Sequence, residues 1–369
     1  MVHGMKIALL PGDDIGPEIS GATQAVLTRA DAAFGLGLDF DVHQVGVATL
    51  TTSGTTLPDS AVAACLAADG VILGPGGMTA YPPVSEGGIN IPGTIRKRLD
   101  LYANLRPSRH RAGVPLSREG LDVLVVRENT QGFYADRSLF EGYGEFRPTP
   151  DTAMSLRLIT TSASRRIARV AFEQARQRRN HVTVVGKRHV LQVTDGLFMA
   201  AVAEVAADYP DVTWREIDVD AMAADLYLRP DRFDVLLTTN MFGDILSNEA
   251  AALAGGLGLA GALNVGDDHA AANAAHGSAP DIAGRGVANP TSLILSSALL
   301  LSWWGTRTGQ AAFGEAARAI EAAVDATIAD PGARTRDLGG QATTDQFADA
   351  VADNINTPQL QATAGAPTR

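Results

Sequence analysis

Short apolar runs alternate along the chain with longer stretches whose apolar residues recur at helical spacing. Residues 6–10, 70–73, 122–127, 181–185 and 234–239 read as buried strands. Between them, residues 18–33, 60–68, 164–179 and 194–209 read as helices by length and spacing. This alternation predicts an α/β protein with substantial parallel sheet. Residues 135–152 break the rhythm: they are rich in Gly, Pro and aromatics, and predict an excursion from the body of the fold. No repeat with a period of 20 to 50 residues is present, and the polar tail 357–369 predicts a frayed end.

Composition narrows the function classes. A length of 369 residues suggests about two domains. With 46% apolar and 19% charged residues, a soluble core is available and extended disorder is not expected. Lys plus Arg number 30 and Asp plus Glu 41, a net charge of −11, which disfavours general binding to nucleic acid or anionic membrane. An acidic ligand can still be held where arginines gather. Cys65 is the only cysteine, so no intrachain disulfide can form, in keeping with a cytoplasmic protein. The apolar stretch 293–304 contains three serines and is too short to span a bilayer. The apolar run 7–10 ends at Pro11-Gly12-Asp13-Asp14 and does not read as a signal peptide; Met5 offers a second start, which would make residues 1–4 a dispensable extension. The first turn, Pro11 to Glu18, is not G-x-G-x-x-G, so dinucleotide binding cannot be argued from a Rossmann fingerprint. P-loop, H-E-x-x-H and C-x-x-C motifs are also absent.

Four constellations could carry chemistry. Arg96 and Arg106 flank a helix-to-strand junction, and Arg127 ends an apolar strand. Guanidinium forks at a strand end suit a small di- or tri-acid. Lys97 and Arg98 read as solvated charge. Asp244 and Asn248 become neighbours on one face if a helix starts near Gly243, and Asp220 follows another strand. Such oxygens suit Mg²⁺ or Mn²⁺, though Asp244 equally suits the start of a helix as a simple dipole partner. Lys187 follows a strand and a glycine and could serve as a base if its pKa were lowered; Tyr134 could donate a proton. The stretch His276 to Gly284 is built of small residues that let a backbone approach a ligand, and Asp281 could accept from a ribose diol.

Six segments in order, LLPGDDIGPEI (9–19), LDLYANLRP (99–107), VRENTQGFYADR (126–137), VDAMAADL (219–226), TTNMFGDILSN (238–248) and HGSAPDIAGRGVANPTS (276–292), resemble the β-decarboxylating dehydrogenases that act on isopropylmalate, isocitrate, homoisocitrate and tartrate or D-malate. The resemblance runs from Met5 to about Gly305. It implies two open α/β domains that are not of the Rossmann type. The first, discontinuous, would comprise 1–101 with 255–369 and bind cofactor; the second, 102–254, would bind substrate and metal. It further implies a homodimer with an intersubunit arm near 135–160, in which Lys187 and Asp220 reach the partner's cleft. Arg96, Arg106 and Arg127 would clamp the malate carboxylates, and Asp220 and Asp244 would hold the divalent metal. Lys187 would take part in deprotonating the C2 hydroxyl and Tyr134 in protonating C3. Ile15, His276, Gly277, Ser278, Ala279, Asp281, Ile282 and Asn289 would line the dinucleotide site. Asp281-Ile282 stands where NADP-using relatives carry Lys-Tyr, which predicts NAD⁺.

The chain departs from the family pattern in places. Asn248 replaces an aspartate; an amide oxygen can still ligate the metal but brings no charge. Asn273-Ala274-Ala275 replaces a Glu-Pro-Val-like lead-in to His276, and Asp14 replaces a glycine. The substrate-selecting segment 87–93 offers Asn90, Pro92 and Gly93, which predicts a roomy pocket with little charge. A 3-substituted malate, isopropylmalate-like, is therefore expected ahead of isocitrate, homoisocitrate, tartrate or D-malate. A carboxylate-binding paralogue without chemistry is the expectation of another class.

Overall fold

The computed structural model describes residues 4–135, 139 and 144–355. The expected frayed tail, most of the suggested extension at residues 1–4, and residues 136–138 and 140–143 of the excursion lie outside the described residues. In chain order the first elements are β1 (Met5–Leu10), α1 (Gly16–Phe34), β2 (Leu38–Val42), α2 (Val47–Ser53), α3 (Asp59–Ala67), β3 (Gly70–Leu73), α4 (Ile91–Arg98), β4 (Ala103–Arg109) and β5 (Asp122–Glu128). Next come β6 (Glu145–Thr149), β7 (Thr152–Ser155), α5 (Thr161–Arg176), β8 (His181–Gly186), α6 (Thr194–Ala206), β9 (Thr213–Asp218), α7 (Val219–Leu228) and β10 (Val235–Thr238). The last are α8 (Asn240–Leu253), β11 (Leu263–Val265), β12 (Ala270–Asn273), α9 (Thr291–Thr308), α10 (Ala311–Ala329) and α11 (Thr344–Asp353).

Ten strands form one sheet in the order β2-β1-β3-β12-β11-β4-β5-β10-β8-β9. Both wings are parallel, as the βαβ rhythm predicts, and only the central pairs β12–β11, β11–β4 and β4–β5 are antiparallel. The late strands β11 and β12 are thus inserted between β3 and β4, so the chain returns to its first wing after building the second.

Side-chain alternation along the strands decides where the site lies. On one face a single apolar cluster runs the whole width: Ile7 and Leu9 of β1, Leu105 of β4, Leu124 and Val126 of β5, and Val182 and Val184 of β8 pack under helices such as α1, α5, α6, α9 and α10. The opposite face carries two separate clusters. One joins Leu10, Val71 and Leu73 to α3 and α4. The other joins Val123, Val125 and Leu236 to α7 and α8. In the gap between them the same strand face presents Asn104, Arg106, Arg127 and Asn264 instead of apolar residues. β6 and β7 form a separate two-stranded ribbon, exposed throughout, with Phe146 and Met154 about half exposed. Among the described residues no helix is long and apolar enough to cross a membrane.

Candidate active site

The gap is built around two arginines. Leu105 and Pro107 alternate with Arg106, so the guanidinium leaves the sheet on the split face. Arg106 and Arg127 are 7% and 2% exposed, which makes their pairing decisive, since an unpaired buried charge is costly. Arg127 donates from Nε to Asn240 Oδ1 at 2.9 Å, from Nη2 to the same oxygen at 2.7 Å, and from Nη1 to Asp244 Oδ1. Arg106 donates from Nε to Asn104 Oδ1 at 2.7 Å, and from Nη1 to Ser247 Oγ at 2.9 Å, Asn248 Oδ1 at 3.3 Å and Asp244 Oδ1 at 3.4 Å. Burial pulls the Arg106 pKa below the usual arginine value, and the Asp244 carboxylate opposes that shift. Two guanidiniums face one carboxylate, so the cluster favours a further anionic group. The Tyr134 ring lies against Arg127, with the guanidinium carbon 5.9 Å from its centroid.

Asp244 and Asn248 do fall one turn apart on one helix, α8, and share the Arg106 fork. Asp220 is not beside them. It sits in the first turn of α7, largely exposed, and accepts a hydrogen bond from Lys187 Nζ, while Asp218 Oδ2 lies 3.4 Å from the same nitrogen. The bond to Asp220 holds the Lys187 pKa above its ordinary value and the Asp220 pKa below its own. In this state Lys187 is an ammonium donor, the opposite direction from the lowered pKa that a base would need. Among the described residues no group of three or more His, Cys, Asp or Glu could hold a metal ion. Asp244 and Asn248 still fit one coordination edge of a hard cation, which fills its other positions with water and substrate oxygens.

Arg96 belongs to the last turn of α4. It lines a cavity of about 240 Å³ between α4 and the start of α5, with Lys97, Asn129, Thr130, Gln131 and Arg166. Asn90 caps α4, its Oδ1 accepting the Gly93 N–H at 2.9 Å. A Cβ on Gly93 would sit 3.0 to 3.1 Å from that amide. Gly93 therefore makes room for the Asn90 cap.

The expected dinucleotide residues gather elsewhere on the first wing. Ile15, His276, Gly277, Ala279, Ile282 and Asn289 line one cavity of about 480 Å³. Ser278 lies behind it, its carbonyl accepting the Ile15 N–H at 3.1 Å. Asp281 belongs to a short exposed turn and is not among the lining residues. Burial lowers the His276 pKa, which favours the neutral ring. Apolar walls with carboxylates close by suit an adenosine-sized group. Arg285, Arg336 and Asp337 also line the cavity and escaped the sequence reading, as did Asn104, Asn240 and Ser247 around the arginines. Asn104 had a signal, since two positions before Arg106 on a strand means the same face. Ser247 and Asn240 follow only once α8 is placed against β5.

Comparison with known proteins decides the family. The model of the isocitrate/isopropylmalate dehydrogenase family matches residues 6–351. The chain belongs to that family. An isocitrate/homoisocitrate dehydrogenase of Thermus thermophilus is 43% identical over 352 residues, covering 95% of this chain and 98% of that one. A 3-isopropylmalate dehydrogenase of Archaeoglobus fulgidus is 40% identical, with 95% and 99% covered. Among solved structures, an isocitrate dehydrogenase from Methylococcus capsulatus superimposes with a TM-score of 0.83 at 38% identity, covering 95% of this chain and 99% of that one. As a member of the isocitrate/isopropylmalate dehydrogenase family, the chain is a decarboxylating dehydrogenase with a mixed α/β fold.

Proposed function

We propose that the chain oxidises and decarboxylates a 3-substituted malate of the isopropylmalate kind, with NAD⁺ as oxidant and Mg²⁺ or Mn²⁺ bound. The observation that carries this reading is the pair of buried guanidiniums, Arg106 and Arg127, meeting Asp244 in the gap of the split face. Two forks with a surplus positive charge match a dicarboxylate. Arg96 joins them from α4. Lys187 and Tyr134 are the proton-transfer residues: the C2 hydroxyl gives up its proton, the β-carboxylate leaves as CO₂ with cleavage of its bond to C3, and C3 takes a proton. Asp244, Asn248 and Asp220 would hold the cation, which when bound stabilises negative charge developing on the C2 oxygen. Ile15, His276 to Ala279, Asp281, Ile282 and Asn289 would hold NAD⁺, the hydride acceptor.

The active unit on this reading is a homodimer. Asp220 and Lys187 lie apart from Asp244 within one chain, which supports their serving a second copy. The exposed β6–β7 ribbon, with Phe146 and Met154 on its surface, suits an intersubunit arm. The split of the core on one face supports a division into 1–101 with 255–369, and 102–254. The NAD⁺ preference rests on Asp281, since Arg285 and Arg336 in the cavity would not by themselves reject a 2′-phosphate.

A panel of 3-alkylmalates, isocitrate, homoisocitrate, tartrate and D-malate with NAD⁺ and Mn²⁺, read as NADH and CO₂ formed, tests the proposal. Highest kcat/KM on a 3-alkylmalate is expected, and exclusive turnover of isocitrate would overturn the ranking. Isocitrate or homoisocitrate is the second reading, favoured by the basic cavity at Arg96, Lys97 and Arg166, which could take a third carboxylate.

A further inference from the structure

Arg157 and Asp195 form an ion pair that the reaction chemistry does not use. Nη1 of Arg157 lies 2.6 Å from Asp195 Oδ1, with the two side chains 7% and 0% exposed. The same nitrogen donates to Thr194 Oγ1 at 2.6 Å, and Nη2 donates to Thr239 Oγ1 at 3.2 Å. The guanidinium also lies against two rings, 5.7 Å from the centroid of Phe133 and 5.4 Å from that of Phe242. Asp195 in turn accepts the Lys187 backbone N–H on Oδ2 at 2.6 Å. The approach is close: a Cβ on Gly186 would sit 3.3 Å from that oxygen and 2.7 Å from Met199 Cε. One buried guanidinium thus joins the start of α6, the turn after β8, the start of α8 and the loop that carries Tyr134. A buried pair of this kind is a poor source of stability and a good device for fixing one geometry.

We propose that Arg157, through Asp195 and Phe133, is a positioning residue that fixes the Lys187 turn, which on the homodimer reading serves the partner's cleft, and the Tyr134 loop, which serves its own. The proposal rests on the roles given above to those two residues. Its structural part, the tether on the Lys187 turn, stands without them.

Arg157→Met keeps the stem between the rings and removes the fork, and Arg157→Lys keeps the charge. With the full-length protein, hydrogen exchange of the peptide 186–195 should quicken in Arg157→Met, while the peptide covering β1 stays protected. The kcat of Arg157→Met should fall about 10- to 100-fold, the scale of a small misplacement, with KM changed less than about threefold. Arg157→Lys and added guanidinium should each restore part of the rate. Unchanged exchange at 186–195 overturns the tether. Faster exchange with an unchanged kcat overturns the positioning role, as does a kcat loss that neither Arg157→Lys nor guanidinium relieves. Full activity of Lys187→Met would instead defeat the catalytic assignment of Lys187, and is scored apart from any Arg157 variant. If Arg157→Met does not fold, Asp195→Asn carries the same exchange measurement, because it weakens the acceptor of the Lys187 amide; unchanged exchange there also overturns the tether.

Discussion

Cys65 is fully buried in the cluster that joins β1 and β3 to α3 and α4. Burial first, and the nearby Asp41 charge second, raise its pKa from 9.0 to about 12. The raised value means that the thiolate favours the unfolded chain. Stability from this group is complete below the unfolded value and is lost as pH rises towards the folded one. At pH 8 the native thiolate fraction is roughly a thousandth of that of an exposed thiol. Alkylation by iodoacetamide at pH 8 should therefore be negligible in the native enzyme and rapid in denaturant; prompt native labelling would contradict the burial. Asp14 lies at the other extreme, a non-glycine residue at φ +53° in the first turn. An L side chain there is strained, although Asp tolerates the region better than most. Asp14→Gly should raise stability by roughly 0.5–1 kcal/mol, read as a higher Tm. A lower Tm would mean that the carboxylate makes a compensating contact.

Between the two wings, the central antiparallel strands carry a chain of amides. Asn104 Nδ2 donates to Asn264 Oδ1 at 2.7 Å, Asn129 Nδ2 donates to the same oxygen at 2.9 Å, and Asn264 Nδ2 donates to Asn273 Oδ1 at 2.5 Å. Asn273 reaches on to the Ala274 carbonyl at 2.9 Å, and Asn104 accepts from Arg106. The chain runs from the lead-in to His276 to Arg106, which gives Asn273 a role: an amide both accepts and donates, whereas a carboxylate there could only accept. Asn264→Leu removes the shared acceptor of Asn104 and Asn129 and the donor to Asn273, and should cost roughly 2–4 kcal/mol, with KM for substrate raised as Arg106 loosens. Unfolding curves and steady-state kinetics check both. This region was the least legible in the sequence. The wings could be read because β1, β3, β5, β8 and β10 are apolar runs, each buried on two faces. β4, with Pro107 inside it, gave no more than a helix-to-strand junction at Arg106, and β12, nearly all alanine, gives no strand signal, since sheet packing rather than propensity makes it a strand. Asp244 and Asn248 were legible as a pair from helical spacing and Arg127 as the end of a strand, but only the family resemblance joined them to one site. The separation of Asp220 from Asp244 was likewise implied only by the resemblance, because distances between elements are not written in periodicity.

At the scale of the whole molecule, the residues proposed for the site fall into two groups within one chain. Arg106, Arg127, Asp244 and Asn248 gather in the gap of the split face, while Lys187 and Asp220 pair with each other at the edge of the second wing. The proposed homodimer, in which each copy would lend its Lys187 and Asp220 to the other, makes a distinctive prediction about mixtures. Lys187→Met and Arg127→Lys should each be nearly inactive as homodimers. Lysine cannot reproduce the bidentate fork on Asn240 or its reach to Asp244. When the two variants are unfolded, mixed and refolded, random pairing makes half of the dimers mixed. Each mixed dimer carries one site with both residues intact and one with both altered, so activity should recover to about a quarter of the wild-type value. Differently tagged chains, purified as the mixed dimer alone, should reach about half. If instead each chain completes its own site, every site in the mixture keeps one defect and no activity returns. The measurement separates shared from self-contained sites without any assumption about which malate is the substrate.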